Sequence, residues 1–222
     1  MLKYLADTFA PHYCCSCGEI GTVLCEHCKY DITSEAFERC IACLGPTKPA
    51  SNLCSLCRMP YARVWCVGER GDALKAVINL YKFHSTRAAA ETFVDLLDQT
   101  IPLLPSQTRV VAVPTIATHI RRRGYDHMSL IAHLFAARRG LEVSHALLRV
   151  DHSHQQGASR RQRLEQAKRA FGFTSTEQVP HLLIDDVYTT GATVQYAAQA
   201  LRSAGASEVY VAVLSRQPLE KN

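Results

Sequence analysis

The stretch Leu182-Leu183-Ile184-Asp185-Asp186-Val187-Tyr188-Thr189-Thr190-Gly191-Ala192-Thr193 holds the residue types best suited to chemistry. An apolar run leads into two adjacent carboxylates, then a hydroxyl-rich turn with one glycine, then an amphipathic segment. Hydroxyls and backbone N–H groups at a helix N-terminus cradle a phosphate, and Gly191 lets the backbone approach it closely. Asp185 and Asp186 repel such an anion. They suit ribose hydroxyls, which donate hydrogen bonds, or a magnesium ion carried by the ligand. In open α/β sheets ligands bind at the carboxyl ends of strands, which is where the two aspartates fall. The competing reading is a strand that ends in a solvated Asp-Asp turn.

Eight of the ten cysteines form four CxxC pairs: Cys14/Cys17, Cys25/Cys28, Cys40/Cys43 and Cys54/Cys57. Disulfides do not require that spacing, whereas two thiolates two residues apart can fill two corners of one zinc tetrahedron. Seven residues separate Cys17 from Cys25 and ten separate Cys43 from Cys54, lengths that suit a hairpin between knuckles. Two sequential four-thiolate sites follow, Cys14, Cys17, Cys25, Cys28 and Cys40, Cys43, Cys54, Cys57. A crossed pairing of first with third and second with fourth is the alternative. Four thiolates close the coordination sphere, so such zinc ions are structural. His27 is expected to stay outside the sites, and Cys15 and Cys66 are left over.

Positioning these groups takes regular elements. The composition changes near Pro60, which divides a cysteine-rich module at 1–60 from a second domain at 61–222. A strand is expected at Arg63–Gly68, then a helix capped by Asp72 and a second helix over Thr86–Thr100. Further strands are expected at Arg109–Val113, Leu141–Leu148, His181–Ile184 and Val209–Leu214. Helices at Asp126–Arg139 and Ala192–Ala204 separate them, the latter closed by Gly205. Strands alternating with helices make an α/β fold with a parallel sheet covered on both faces. Pro114-Thr115-Ile116-Ala117 follows a buried strand, so its backbone can meet a second phosphate group.

The formal charge is +5. Two four-thiolate zinc sites each carry −2 and would take +5 to +1, so global charge argues little for nucleic acid. Local clusters carry that case: Arg121, Arg122 and Arg123, then Arg138 and Arg139, then Arg160, Arg161 and Arg163 toward Lys168. Solvated basic surface is the plain alternative for each, and Lys82 reads as a surface lysine. The sequence is 47% hydrophobic and 20% charged, with no apolar run long enough to span a bilayer. Met1 to Cys15 lack the features of a signal peptide, which leads to an expectation of a cytoplasmic protein.

The 182–193 stretch is similar to the ribose-phosphate signature of type I phosphoribosyltransferases. With cysteine knuckles ahead of it, the chain resembles the ComF family of competence proteins, also described as predicted amidophosphoribosyltransferases. The resemblance covers nearly the whole chain. It rests further on Leu80-Tyr81-Lys82-Phe83, on Arg122-Arg123-Gly124-Tyr125-Asp126-His127, and on Gln156 through Arg163 leading to Ala170-Phe171. The family pattern has Arg-Gly-Phe-Asn-Gln where this chain has Arg123-Gly124-Tyr125-Asp126-His127, and an asparagine where Gln166 stands.

The resemblance implies a parallel sheet of the type I phosphoribosyltransferase type with a small N-terminal zinc-ribbon module. It implies phosphoribosyl pyrophosphate with magnesium as the ligand. Asp185 and Asp186 would take the ribose hydroxyls, the catalytic positions. Val187, Thr189, Thr190, Gly191, Ala192 and Thr193 would wrap the 5′-phosphate, with Thr115 in the pyrophosphate loop. It further implies a role with incoming single-stranded DNA in natural transformation, beside DNA-uptake machinery at the inner membrane. Arg121, Arg122, Arg123, Arg160, Arg161 and Arg163 would follow the strand and Tyr125 would stack a base. The alternative is an active enzyme that transfers the phosphoribosyl group to an unidentified nitrogen acceptor and releases pyrophosphate.

Overall fold

The computed structural model of the chain describes residues 12–34, 37–47, 50–83, 88–150, 170–174 and 176–218. Five strands form one parallel sheet in the order β1 (Arg63–Glu69), β7 (Glu208–Arg216), β6 (Pro180–Tyr188), β2 (Arg109–Ala112) and β3 (Glu142–Val143). A separate antiparallel pair joins β4 (Leu147–Arg149) to β5 (Phe171–Phe173). One strand was expected over Leu141–Leu148; two short ones stand there, because Ser144 bonds back to Val110 and the chain then leaves the sheet.

Side chains alternate across the central strands, so each strand feeds two cores. On one face Trp65, Val67, Val110, Leu182, Ile184, Ala212 and Leu214 meet three helices. These are α2 (Asp72–Phe83), α3 (Ala88–Thr100) and α5 (His127–Arg139). On the other face Val64, Cys66, Val111, Leu183, Val211 and Val213 meet α6 (Ala192–Ala204), through Val194, Ala197, Ala198 and Leu201. Leu182, Leu183 and Ile184 are fully buried. That two-sided burial is why this run reads as continuously apolar rather than alternating.

The strand β6 does not end at the aspartates, as the sequence suggested. It runs on to Tyr188, because β7 extends far enough to pair Asp185 with Val213, Val187 with Ser215 and Tyr188 with Arg216. Two helices went unread in the sequence, α1 (Glu26–Ser34) and α4 (Ala117–Arg123). α4 gathers Arg121, Arg122 and Arg123 in its last turn, where cations suit the helix dipole, and Gly124 closes it at φ 78°.

The two cysteine knuckles sit on opposite faces of the sheet. Val23, Leu24 and Cys28 join the core of α2, α3 and α5, while Phe37 and Ile41 join that of α6. The segment between Cys43 and Cys57 also covers the open edge of β1. Asn52 N donates to Val64 O at 2.7 Å, Cys66 N to Asn52 Oδ1 at 2.9 Å, and Trp65 Nε1 to Ala50 O at 3.0 Å. At the far end of the chain Arg216, 1% exposed, donates from Nε to Ile41 O at 2.9 Å.

On the first knuckle, α1 docks on α3 through Lys29. Its ammonium is buried between Glu26 (2.7 Å) and Asp95, and Asp95 is shared with Arg138 at 2.5 Å. Lys29→Ala should cost about 2 kcal/mol, below the usual figure for a broken buried pair because Asp95 keeps Arg138. Calorimetry should then show Tm lower by about 4–8 °C. An unchanged Tm would mean that α1 is held by apolar contacts alone.

Candidate ribose-phosphate site and thiolate clusters

Chain leaving β2 crosses toward β3, and chain leaving β6 crosses the other way toward β7. The crevice between their carboxyl ends is therefore the topological switch point of the sheet, the place where open α/β folds bind ligands. Asp185 and Asp186 stand on one side of it and Thr115 on the other.

Asp186 is ionised and held. Lys82 Nζ lies 2.5 Å from its Oδ2 and His127 Nε2 lies 3.1 Å from the same oxygen. Burial alone would raise this carboxyl, but the His127 hydrogen bond and the Lys82 charge outweigh it and hold Asp186 well below the usual range. Among the described residues Asp185 has no such side-chain bond, only the more distant charges of Lys82 and Arg149. Burial first, and the charge of Asp186 second, push it up to about 7, against one lowering bond from the Asp186 amide to its Oδ1 at 2.9 Å. Two neighbouring carboxyls of one type are thus driven in opposite directions, a pattern common at binding and catalytic sites.

Two stretches that look independent in the sequence interlock beneath Asp186. The last carbonyls of α2 lack partners within the helix. Tyr125 Oη donates to Tyr81 O at 3.0 Å and Arg123 Nε to Lys82 O at 2.8 Å, which satisfies them. In return Tyr81 Oη donates to His127 O at 2.7 Å. Asp126 caps α5 by accepting from Met128 N and Ser129 N, and its Oδ1 also accepts from Thr115 Oγ1 at 2.9 Å. The result fixes the helix end that carries Lys82, the turn that carries His127 and the loop that carries Thr115.

Gly191 starts α6 at φ 76°, the left-handed region that favours glycine. A Cβ there would overlap the hydroxyl and ring of Tyr188, which lies beneath the turn. Thr189 and Thr190 are exposed, while Gly191 and Ala192 are buried. Thr190 Oγ1 accepts from Ala192 N at 3.4 Å. The turn therefore presents hydroxyls outward over a closely packed floor.

The structure brings together Asp185, Asp186, Val187 and the 189–193 turn along the carboxyl end of β6, with Thr115 across the crevice. Arg121 and Arg122 are exposed on α4, while Arg123 and Tyr125 are partly buried in the interlock. Arg160, Arg161 and Arg163 lie outside the described residues, as do Gln156, Gln166 and Lys168. Arg138 and Arg139 do not offer the free basic surface expected of them. They pair with Glu91, Asp95 and Asp98, and Arg139 also donates to the carbonyls of Asp98 and Ile101. Lys82, read as a surface lysine, is instead a partner of Asp186. His127 was missed as a site residue. Its only signal was its place where the family pattern has glutamine, another side chain that both donates and accepts.

The eight paired cysteines gather as the sequential sets, Cys14, Cys17, Cys25, Cys28 and Cys40, Cys43, Cys54, Cys57, each with all Sγ atoms within 4.8 Å. The Sγ separations are 3.6 Å for Cys17–Cys25, 3.8 Å for Cys40–Cys57 and 3.7 Å for Cys43–Cys54. A disulfide needs about 2.05 Å. A zinc tetrahedron with bonds of about 2.3 Å has edges of about 3.8 Å. The clusters could therefore hold zinc, and the crossed pairing is set aside. Burial opposes ionisation of Cys14 and Cys40, yet backbone N–H groups around each outweigh it and bring both thiols down to about 6. His27 is exposed, outside the cluster, beside Asp31.

The raised carboxyl gives a test of the geometry that needs no ligand. Folded Asp185 keeps its proton to about pH 7, while in the unfolded chain it loses it near 3.8. The folded state thus holds the extra proton between those values, so its stability falls as pH rises from about 3.8 to about 7 and levels off above that. Asn cannot ionise and still accepts the Asp186 amide. Asp185→Asn should therefore raise Tm more at pH 8–9 than at pH 5. An equal change at both pH values would overturn the assignment.

No family model matches the chain. Three curated relatives span nearly all of it. DNA utilization protein YhgH of Salmonella typhi is 27% identical over 219 residues, covering 87% of this chain and 96% of that protein. The YhgH protein of Salmonella typhimurium gives the same figures. Competence protein F of Haemophilus influenzae is 26% identical over 210 residues, covering 87% of this chain and 90% of that protein. Among solved structures, the allosteric regulatory enzyme of purine biosynthesis is 18% identical with a TM-score of 0.38, over 56% of this chain and 25% of that one, and it carries no weight here. Over nearly its whole length, then, the chain is similar to Competence protein F and the YhgH proteins.

Proposed function

We propose that the chain binds phosphoribosyl pyrophosphate, with magnesium, at the carboxyl end of β6 and takes part in handling incoming single-stranded DNA during natural transformation. The observation that carries the ligand is the switch-point crevice with two oppositely tuned aspartates, followed by the turn at Gly191 and the start of α6. Asp185 and Asp186 face the ribose hydroxyls, and Thr189 through Thr193 face the 5′-phosphate, where N–H groups and the helix dipole favour an anion. Magnesium neutralises the pyrophosphate of such a ligand. Support for the DNA role comes from the names of the relatives, one a competence protein and two DNA utilization proteins. Arg121 and Arg122 are exposed on α4, as a contact with a phosphate backbone requires. No helix among the described residues is long and apolar enough to cross a membrane, and we place the protein in the cytoplasm, next to the uptake machinery.

In this reading residues 1–60 form a zinc-ribbon module and 61–222 the ligand-binding domain. Zinc acts structurally at both cysteine clusters. A second reading, transfer of the phosphoribosyl group to a nitrogen acceptor with loss of pyrophosphate, draws support from ionised Asp186, which can stabilise positive charge at the anomeric carbon.

Titration calorimetry with phosphoribosyl pyrophosphate and magnesium should give a dissociation constant in the range typical of metabolite sites, about 1 μM to 1 mM. The double change Asp185→Asn, Asp186→Asn should abolish the heat while the protein still melts cooperatively. Retained affinity would sink the ligand assignment. Release of pyrophosphate when nitrogen bases are added would favour the second reading.

Native mass spectrometry should find two zinc ions per chain. Removing them with a chelator should lower Tm and expose thiols in two groups of four. A metal-free mass with unchanged stability would overturn the structural role.

A further inference from the structure

Ribose-phosphate binding as described above does not use His127, yet its ring is among the most constrained groups in the molecule. It is 4% exposed and lies edge-on to Tyr81, with ring centroids 5.8 Å apart and planes at 65°. Its Nδ1 stands 3.0 Å from Arg123 Nη1 and 3.4 Å from Thr115 Oγ1. A guanidinium can only donate, so Nδ1 accepts and the ring proton resides on Nε2. Nε2–H therefore donates to Asp186 Oδ2 at 3.1 Å.

These contacts close a ring. Arg123 Nε donates to the carbonyl of Lys82, Arg123 Nη1 donates to His127, His127 donates to Asp186, and the ammonium of the same Lys82 meets Asp186. Both donors to the carboxylate take Oδ2. Among the described residues no hydrogen bond or ion pair engages Oδ1.

We propose that His127 is a positioning residue which, together with Lys82, claims Asp186 Oδ2 and so commits Oδ1 to the crevice as the acceptor for a ribose hydroxyl of the ligand. This rests on the reading of the crevice as a ribose-phosphate site. A carboxylate with one oxygen held by two rigid donors loses its freedom to rotate, and the entropy of ordering it is settled before the ligand arrives. Lys82 alone cannot do this, since an ammonium on a flexible stem fixes distance but little orientation. The imidazole can, because Arg123 fixes its tautomer and Tyr81 its plane.

Glutamine carries an N–H donor group and a carbonyl acceptor at the end of its chain and can replace both bonds of the ring, whereas leucine can replace neither. The first measurement is the tautomer of His127 in the ligand-free protein at pH 8, by nitrogen-15 NMR of labelled histidine. The Nε2–H form is expected, and the Nδ1–H form would overturn the inference. The second is the affinity for ribose 5-phosphate, without metal, in the wild type, His127→Gln and His127→Leu. The glutamine variant should bind within about 3-fold of the wild type and the leucine variant at least about 10-fold more weakly. Wild-type affinity in the leucine variant would overturn the role of His127 and leave the pocket standing. No binding by the wild type would instead overturn the ribose-phosphate reading beneath it. If both variants unfold, the tautomer decides.

Discussion

A carboxylate taken out of water must have its charge answered, and the answer given to Asp186 organises the carboxyl end of the sheet. Its counter-charge comes from the last turn of α2 and its hydrogen bond from the first residue of α5. For both to arrive at one oxygen, two chain segments about forty residues apart must be locked together, and the bonds between Arg123, Tyr125 and the terminal carbonyls of α2 do that. The same bonds satisfy a helix end that burial would otherwise penalise. Site and scaffold thus share their hydrogen bonds here, and a change at Arg123 or Tyr125 acts on both.

The contrast between the two aspartates follows from the same geometry. Successive residues of a strand point to opposite faces. Asp186 therefore turns toward the helices that supply Lys82 and His127, and Asp185 turns toward the other face, where burial is the leading influence. A difference of one position in a strand is enough to hold one carboxyl ionised and to push the other up to about 7, so that it shares its proton with solvent near neutral pH.

Much of this was legible in the residues. The apolar run before Asp185, the cysteine spacing and the helix at Ala192–Ala204 are local patterns, set by periodicity and ligand geometry. What stayed hidden depends on partners distant in sequence. Nothing in Leu182–Tyr188 says that the strand outlasts its aspartates; that needs the length of β7. Lys82 looks like any surface lysine until α2 is set beside β6. Arg138 and Arg139 look like a basic patch until α3 brings Glu91, Asp95 and Asp98 against them. The short helix at Ala117–Arg123 lacks an apolar face, having no buried residue, so periodicity could not reveal it.

The segment between Cys43 and Cys57 does more than complete a cluster of thiolates. Through Asn52, and through Ala50 to the Trp65 indole, it seals the outer margin of β1. Parallel strands with an open margin recruit other strands, including those of a second copy of the same chain. The crevice between β6 and β2 lies two strands further in, so this cover and the carboxylate pair are held by separate parts of the chain. The second thiolate cluster thus bears on two things at once, the geometry of its own sulfurs and the cover over an edge strand.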